Sequence, residues 1–423
     1  MTTTTLDASV SRRRALRFVV LVGVVSLFAD LTYEGSRSIT GPYLAVLGAS
    51  ATAVGVVAGG GELLGYALRL VSGRLSDRMR SYWPITIAGY LVQMLAVPAL
   101  ALAGSWPVAA FLIVLERVGK AVRNPPRDAM LARAGVEIGR GWAFGLHEAL
   151  DQLGAVVGPL VVAGVLAVRG DYPLAFATLI IPAILTLGTL AVARMSYPEP
   201  GDVAARAGDV NSADLPRVFW IYLAGAALVA AGFADFSLMA FHFERTGAVS
   251  QAWIPVFYAV AMGSSGLGSL AFGRLFDRVG IVVLLPVTAG TALFAPLVFL
   301  TARGSGSAGD VAALIGVGLW GIGMGVHESI MAAAVAEMVP PQRIASAYGL
   351  FNLGYGLAWF AGSALIGFLY DRSIPALIAV SVVLELAALP LFIRVRSMRA
   401  AIPGGPHDAA SGDDAASGGD VGG

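Results

Sequence analysis

Gly73-Arg74-Leu75-Ser76-Asp77-Arg78 and Gly273-Arg274-Leu275-Phe276-Asp277-Arg278 are two copies of one hexapeptide, 200 residues apart (273 − 73) and differing only at their fourth residue. Each copy stands between the second and third long apolar runs of its half of the chain. Ala143-Phe144-Gly145-Leu146 matches Ala347-Tyr348-Gly349-Leu350 at an offset of 204 (347 − 143), and Gly158 and Gly362 keep that offset. Asp30 and Asp235 fall at similar places in the first run of each half. Matches at a common separation mark a duplicated unit.

Composition says what that unit is. The 423 residues are 57% hydrophobic and 13% charged, about half the roughly 25% charge of a soluble domain. The 53 glycines suit closely packed membrane helices. A spanning helix needs about 20 mainly apolar residues. Such runs fall at 16–46, 51–72, 83–103, 107–127, 141–168 and 173–194, then at 218–243, 252–272, 280–302, 311–338, 344–369 and 374–396. The expected fold is an all-α membrane protein of twelve transmembrane helices in two pseudo-symmetric six-helix bundles. The expected divisions are a disordered tail (1–14), a first bundle (15–196), a central loop (197–216), a second bundle (217–397) and a second disordered tail (398–423). Arg12, Arg13 and Arg14 precede an apolar run that continues into Asp30 and Glu34 without a cleavage site, so this run reads as a retained first span, not a signal peptide.

Charge fixes the orientation. With the N-terminus inside, twenty arginines fall in inner segments, against Arg169, Arg245, Arg303 and Arg372 outside. Both termini are therefore expected to be cytoplasmic, in a multi-pass protein of a bacterial-type inner membrane. The net charge of +1 gives no field for a nucleic acid. There is no Cys, which excludes disulfides and thiolate chemistry. Arg supplies 27 of the 28 basic residues, a bias that reads as genomic base composition, with Lys120 the sole Lys.

Charges inside the apolar runs are the sharpest functional signal, each costing about 2.5–3.5 kcal/mol at mid-membrane. Asp30, Glu34 and Arg37 share one face of the first span, at spacings of four and three. Glu62 lies mid-way along the second span, Arg117 with Glu116 in the fourth, and His147, Glu148 and Asp151 in the fifth. A carboxyl in low dielectric beside an arginine that can move is a proton-loading device. The proton-coupling and central-cavity set is therefore Asp30, Glu34, Arg37, Glu62, Arg117, His147, Asp151 and Asp235, with Asp30 and Glu34 the first choices for the proton. A static set of ion pairs that only fixes packing is the alternative. The second half offers His242, His327, Glu328, Asn352, Tyr355 and Trp359, a weakly polar, aromatic wall for an amphipathic solute. His147-Glu148-Ala149-Leu150-Asp151 lacks the second His of a zinc-protease helix, and no P-loop occurs, so neither a metal nor a nucleotide cofactor is expected.

The hexapeptide resembles the loop signature of the major facilitator superfamily, over roughly residues 15–397. Gly154-Ala155-Val156-Val157-Gly158-Pro159 resembles that superfamily's antiporter motif, and Glu116–Lys120 with Arg123–Ala129 resembles the fourth-span end of one bacterial permease branch. The resemblance implies alternating access by rocking of two halves, with a gating role for Gly73, Asp77, Arg78, Gly273, Asp277 and Arg278. It implies exchange of solute for protons through Gly154, Gly158 and Pro159. The expected activity is proton-coupled export of small amphipathic molecules by a functional monomer among membrane lipids. A proton-coupled importer or facilitator, and a membrane-embedded enzyme or receptor, are the alternatives.

Overall fold

The computed structural model describes residues 2–79, 82–197, 215–302, 306–340 and 343–400. The first half comprises α1 (Thr2–Val46), α2 (Ala51–Met79), α3 (Tyr82–Ala99), α4 (Trp106–Ile138), α5 (Arg140–Arg169), α6 (Tyr172–Thr178) and α7 (Ile180–Ser196). The second comprises α8 (Arg217–Gly232), α9 (Phe236–Thr246), α10 (Trp253–Val279), α11 (Leu284–Thr291), α12 (Phe294–Phe299), α13 (Gly306–Ala336), α14 (Ile344–Arg372) and α15 (Ile374–Ala400). No strand occurs among the described residues, as lipid requires of a chain that must satisfy its own backbone groups. α1 reaches back to Thr2, so the stretch read as a disordered tail continues the first helix. Most of the expected central loop and of the second tail lies outside the described residues.

Ten stretches of the described residues are long and apolar enough to cross a membrane. One of them, Trp253–Phe299, is 47 residues long, or about 70 Å as helix against a hydrocarbon core of about 30 Å. The chain turns back inside it at Gly280, whose φ of 63° ends α10. The 33-residue α4 fails the apolar test only because it carries its charges inward. Dividing the first and counting the second gives the expected twelve; length and composition alone certify ten.

The duplication is visible in the packing. α1 lies on α5 and α7, α2 on α4, and α3 on α4 and α7. In the second half α8 lies on α14 and α15, α10 on α13, α12 on α13 and α11 on α15. Between halves α2 meets α14 and α5 meets α10, which are equivalent pairs under the same exchange, while α1 meets α9 on the axis.

One end of the bundle is sealed. A Cβ on Gly41 would overlap the backbone of Ser237 and Phe241, and one on Gly55 the Ser363 carbonyl, so α1 meets α9 and α2 meets α14 backbone to backbone. Asp371 at the end of α14 accepts hydrogen bonds from the Ala51 and Thr52 amides (3.2 and 2.9 Å) and the Thr52 hydroxyl (2.7 Å), capping α2 from the other half. Tyr172 donates to Glu244 across the same seam at 2.6 Å.

The first span of the second half is broken where an unbroken helix was expected. α8 stops at Gly232 and α9 starts at Phe236, which leaves backbone polar groups free in the bundle interior. Ser381 donates to the Gly232 carbonyl (2.6 Å) and the Trp320 indole to that of Ala234 (2.8 Å). Asp235 caps α9 by accepting from the Ser237 amide (2.9 Å). A broken helix is tolerated at depth where neighbours supply such partners.

Candidate functional site

The halves enclose a cavity of about 300 Å³. Its first-half wall is Tyr33, Glu34 and Arg37 of α1, Glu62, Tyr66 and Arg69 of α2, and Arg117 and Lys120 of α4. Its second-half wall is Met324 and His327 of α13 with Phe351, Asn352, Tyr355 and Trp359 of α14. Arg69 is exposed and marks the mouth, away from the sealed end.

The charged wall is held by shared partners. Glu62 accepts from Arg117 (2.6 Å) and Arg37 (3.3 Å). Arg37 also reaches Asp235 in the other half at 3.2 Å. Both arginines donate to the Tyr33 hydroxyl. Glu34 accepts from Tyr258 of α10 at 2.5 Å and lies 3.9 Å from Lys120. The Lys120 ammonium sits 3.7 Å from the Tyr33 ring centroid. Each arginine thus meets two oxygen partners or more, as charge taken out of water requires.

A second polar set lies behind α1. Asp30 of α1 and Asp151 of α5 are neighbours in this set. Arg123 approaches Asp30 at 3.7 Å and donates to Tyr90 (2.9 Å) and Gln93 (2.6 Å). Gln93 in turn donates to Glu116 (2.8 Å), which lies 3.7 Å from Arg117. The series Asp30–Arg123–Gln93–Glu116–Arg117 therefore reaches the cavity wall through contacts of 3.7 Å or less, with Asp151 beside Asp30 at its far end. Arg127 donates to Ser26 (3.3 Å) and pairs with Asp128 (2.8 Å) at the far end of α4.

The structure therefore divides the charges that the sequence grouped together. Glu34, Arg37, Glu62 and Arg117 line the cavity, and Asp235 stands just behind Arg37. Asp30, His147 and Asp151 do not line it: α1 separates them from it, because residues one turn apart on so crowded a helix meet different neighbours. Asp235 is a helix cap at a chain break, not an acid inside a helix. His242 is held at the sealed end by the Tyr370 hydroxyl (3.0 Å) and the Thr301 carbonyl (2.9 Å), away from the cavity. Of the aromatic wall, His327, Asn352, Tyr355 and Trp359 line the cavity, and the Glu328 side chain lies outside the described residues. So do the side chains at Gly73, Asp77 and Arg78, while Asp277 and Arg278 are exposed at the end of α10 opposite the seal. Gly154 and Gly158 put α5 against α1, where a Cβ would overlap the Leu27 and Leu31 carbonyls; Pro159 is buried beside them. Gly362 does the same for α14 against Ala231 of α8.

Sequence reasoning missed Lys120 as a cavity group, though its being the only Lys was a signal. It missed Tyr33, Gln93, Arg123 and Tyr258, whose roles depend on cross-helix pairing that spacing does not show. It also missed Glu385, fully buried on α15 and met by the Thr291 hydroxyl at 3.0 Å.

Two halves with equivalent helix pairings, closed at one end around a charged and aromatic cavity, have the architecture of a membrane transporter. The chain belongs to the Major Facilitator Superfamily, whose family model matches residues 22–363. It is 43% identical to an uncharacterised protein of Mycobacterium tuberculosis over 394 residues, 92% of this chain and 95% of that one. It is 24% identical to an uncharacterised MFS-type transporter of Methanocaldococcus jannaschii, over 85% of this chain and 90% of that one. Among solved structures it resembles the nucleoside transporter NupG (TM-score 0.69, 14% identity, 90% of this chain and 98% of that one). It also resembles a bacterial homologue of the lysosomal transporter Spinster (TM-score 0.65, 15% identity, 90% and 97%). At those identities the structures show the fold alone. The family makes this chain a transporter, not an enzyme, and supports secondary transport of a small molecule.

Proposed function

We propose that the protein is a proton-coupled exporter of small amphipathic molecules, working by alternating access as a monomer. The observation that carries this reading is the series of contacts from Asp30 through Arg123, Gln93 and Glu116 to Arg117. A proton on Asp30 and a solute held against Arg117 would meet the same chain of paired groups, so filling one site changes the partners available at the other. Asp30 is the favoured proton carrier; Glu34, already engaged by Tyr258 and Lys120, faces the solute. Export follows from the likeness of Gly154–Pro159 to the antiporter motif. With the basic residues sorted to the inner face of a bacterial inner membrane, the sealed end faces outward and the cavity opens to the cytoplasm. The exposed Asp277 and Arg278 then lie where an inner gate would close.

The test is transport in proteoliposomes under an imposed pH gradient, screened over dyes and metabolites. Solute movement against an inward proton gradient, abolished by Asp30→Asn and by Asp151→Asn, is expected. Movement with the gradient would replace export by import. Full gradient-driven transport in Asp30→Asn and Asp151→Asn would remove the pair from coupling.

A further inference from the structure

The two walls of the cavity differ in what they have left to give. The carboxylates are engaged: Glu62 by two arginines, Asp235 by Arg37 and a backbone amide, Glu116 by Gln93, and Glu34 by the Tyr258 hydroxyl. The donors are not. Arg37 Nε and Trp359 Nε1, each more than nine-tenths buried on a cavity-lining residue, have no hydrogen-bond partner among the described residues, and His327 Nδ1 has none either. Arg37 Nε and Trp359 Nε1 can only donate. Leaving a buried donor unmet costs more than making its hydrogen bond returns, so unmet donors around one cavity call for an acceptor.

Charge points the same way. Among the described residues, Arg37, Arg69, Arg117 and Lys120 line the cavity with two acids, Glu34 and Glu62. Lys120 touches Glu34 at the long distance of 3.9 Å and otherwise lies on the Tyr33 ring. Arg69 lies over Tyr66 at the mouth, with no ion-pair partner among the described residues. Composition adds an independent point. A chain that uses Arg at 27 of 28 basic positions places its one Lys here. An ammonium is a compact point charge with three donors that turn freely; the planar guanidinium fork is not equivalent to it.

We propose that the transported solute is an organic anion: a carboxylate on an aromatic or similarly flat apolar body. Its acidic group meets Lys120 and Arg69, drawing Lys120 away from Glu34. Its body lies on Phe351, Tyr355 and Trp359, with an acceptor atom on the Trp359 indole N–H. This inference rests on the reading of the cavity as the transport site, but not on proton coupling or on direction.

The experiment is equilibrium binding to the purified full chain in detergent, with no gradient. The probes are 4-phenylbutyrate, 4-phenylbutan-1-ol and 4-phenylbutylamine, which share one body and differ in charge. Calorimetry is expected to show the acid binding at least about tenfold tighter than the alcohol, the difference one charged hydrogen bond makes, and the amine weakest. Lys120→Met and Arg69→Gln are each expected to lower the acid's affinity and leave the alcohol's unchanged, and Lys120→Arg to recover part of the loss. That selective loss is a readout which general misfolding, lowering both, would not give. An amine that binds as well as the acid, an acid whose affinity survives Lys120→Met, or no binding by any probe would overturn the proposal. The first two of these results would leave gradient-driven transport standing, so the failure of this inference and that of the proposed coupling can be told apart.

Discussion

The two halves share a fold and divide the work. The first half faces the cavity with Glu34, Arg37, Glu62, Arg117 and Lys120 and keeps a second polar set behind α1. The second half faces it with Phe351, Tyr355, Trp359 and His327, stacked edge and face on one another. Duplication preserved the helix pairings, which depend on small residues at repeated positions such as Gly158 and Gly362. It did not preserve the charges, which depend on what each wall must bind. A scaffold that moves two rigid bodies needs its ionic chemistry on only one of them, provided something ties that chemistry to the other. Arg37 and Tyr258 are the ties, each bonding across the seam at mid-depth.

The comparison breaks hardest at Arg37. Arg37→Met leaves Asp235, 2% exposed, without its cation, and takes one of two cations from Glu62. The expected cost is about 3–5 kcal/mol, that of stripping one partner from a buried pair. Thermal unfolding in detergent should fall sharply and transport should cease. Arg37→Met combined with Asp235→Asn should regain much of the stability but not the transport. If the single variant stayed within about 1 kcal/mol of the parent, the tie would be idle.

How the charges divide was only partly legible in the sequence. The mid-membrane acids could be found because each stands out against an apolar background, and the duplicated hexapeptide gave the two halves. That Asp30 turns to α5 while Glu34 turns to the cavity could not be read, because both lie on one face of α1 and the neighbours decide. The break at Phe233 and Ala234 carries no proline and follows a single glycine, Gly232; it is set by Trp320 and Ser381, distant in sequence, which take up the freed carbonyls. Gln93 looks like an ordinary polar residue in an apolar run until Glu116 and Arg123 close on either side of it.

Gln93 also sharpens the comparison, because it is the member of the second polar set that reaches toward the cavity wall. Gln93→Leu removes one partner each from Glu116 and Arg123, at an expected cost of about 1–3 kcal/mol. Proteoliposomes should still move solute down its own gradient, with the dependence on an imposed pH gradient reduced or lost. Retained gradient dependence would show that coupling does not travel along this series.

At the sealed end the division of labour reverses, since an acid of the second half grips a helix of the first. Asp371→Asn keeps a capping oxygen for the amides of α2 but removes its charge, an expected loss of about 1 kcal/mol, or roughly fivefold in the balance between sealed and open states. The absence of Cys lets Val46→Cys and Trp253→Cys carry spin labels on either side of the seam. The longer-distance population should rise in the Asn variant. An unchanged distribution would assign the seal to the backbone contacts at Gly41 and Gly55 instead.

The smallest effect is expected at Glu385, the one fully buried acid of the second half that meets no cation among the described residues. Its carboxyl touches the Thr291 hydroxyl, and its other oxygen has no partner among those residues. Glu385→Gln keeps the length, the bond to Thr291 and a polar head, and removes any charge. If the second half handles no charge during transport, this variant should match the parent within about 0.5 kcal/mol in stability and show the same pH dependence of transport. A changed pH profile with unchanged stability would place a titrating group in the aromatic half. The proposed contrast between a charged half that couples and an apolar half that only grips would then fail.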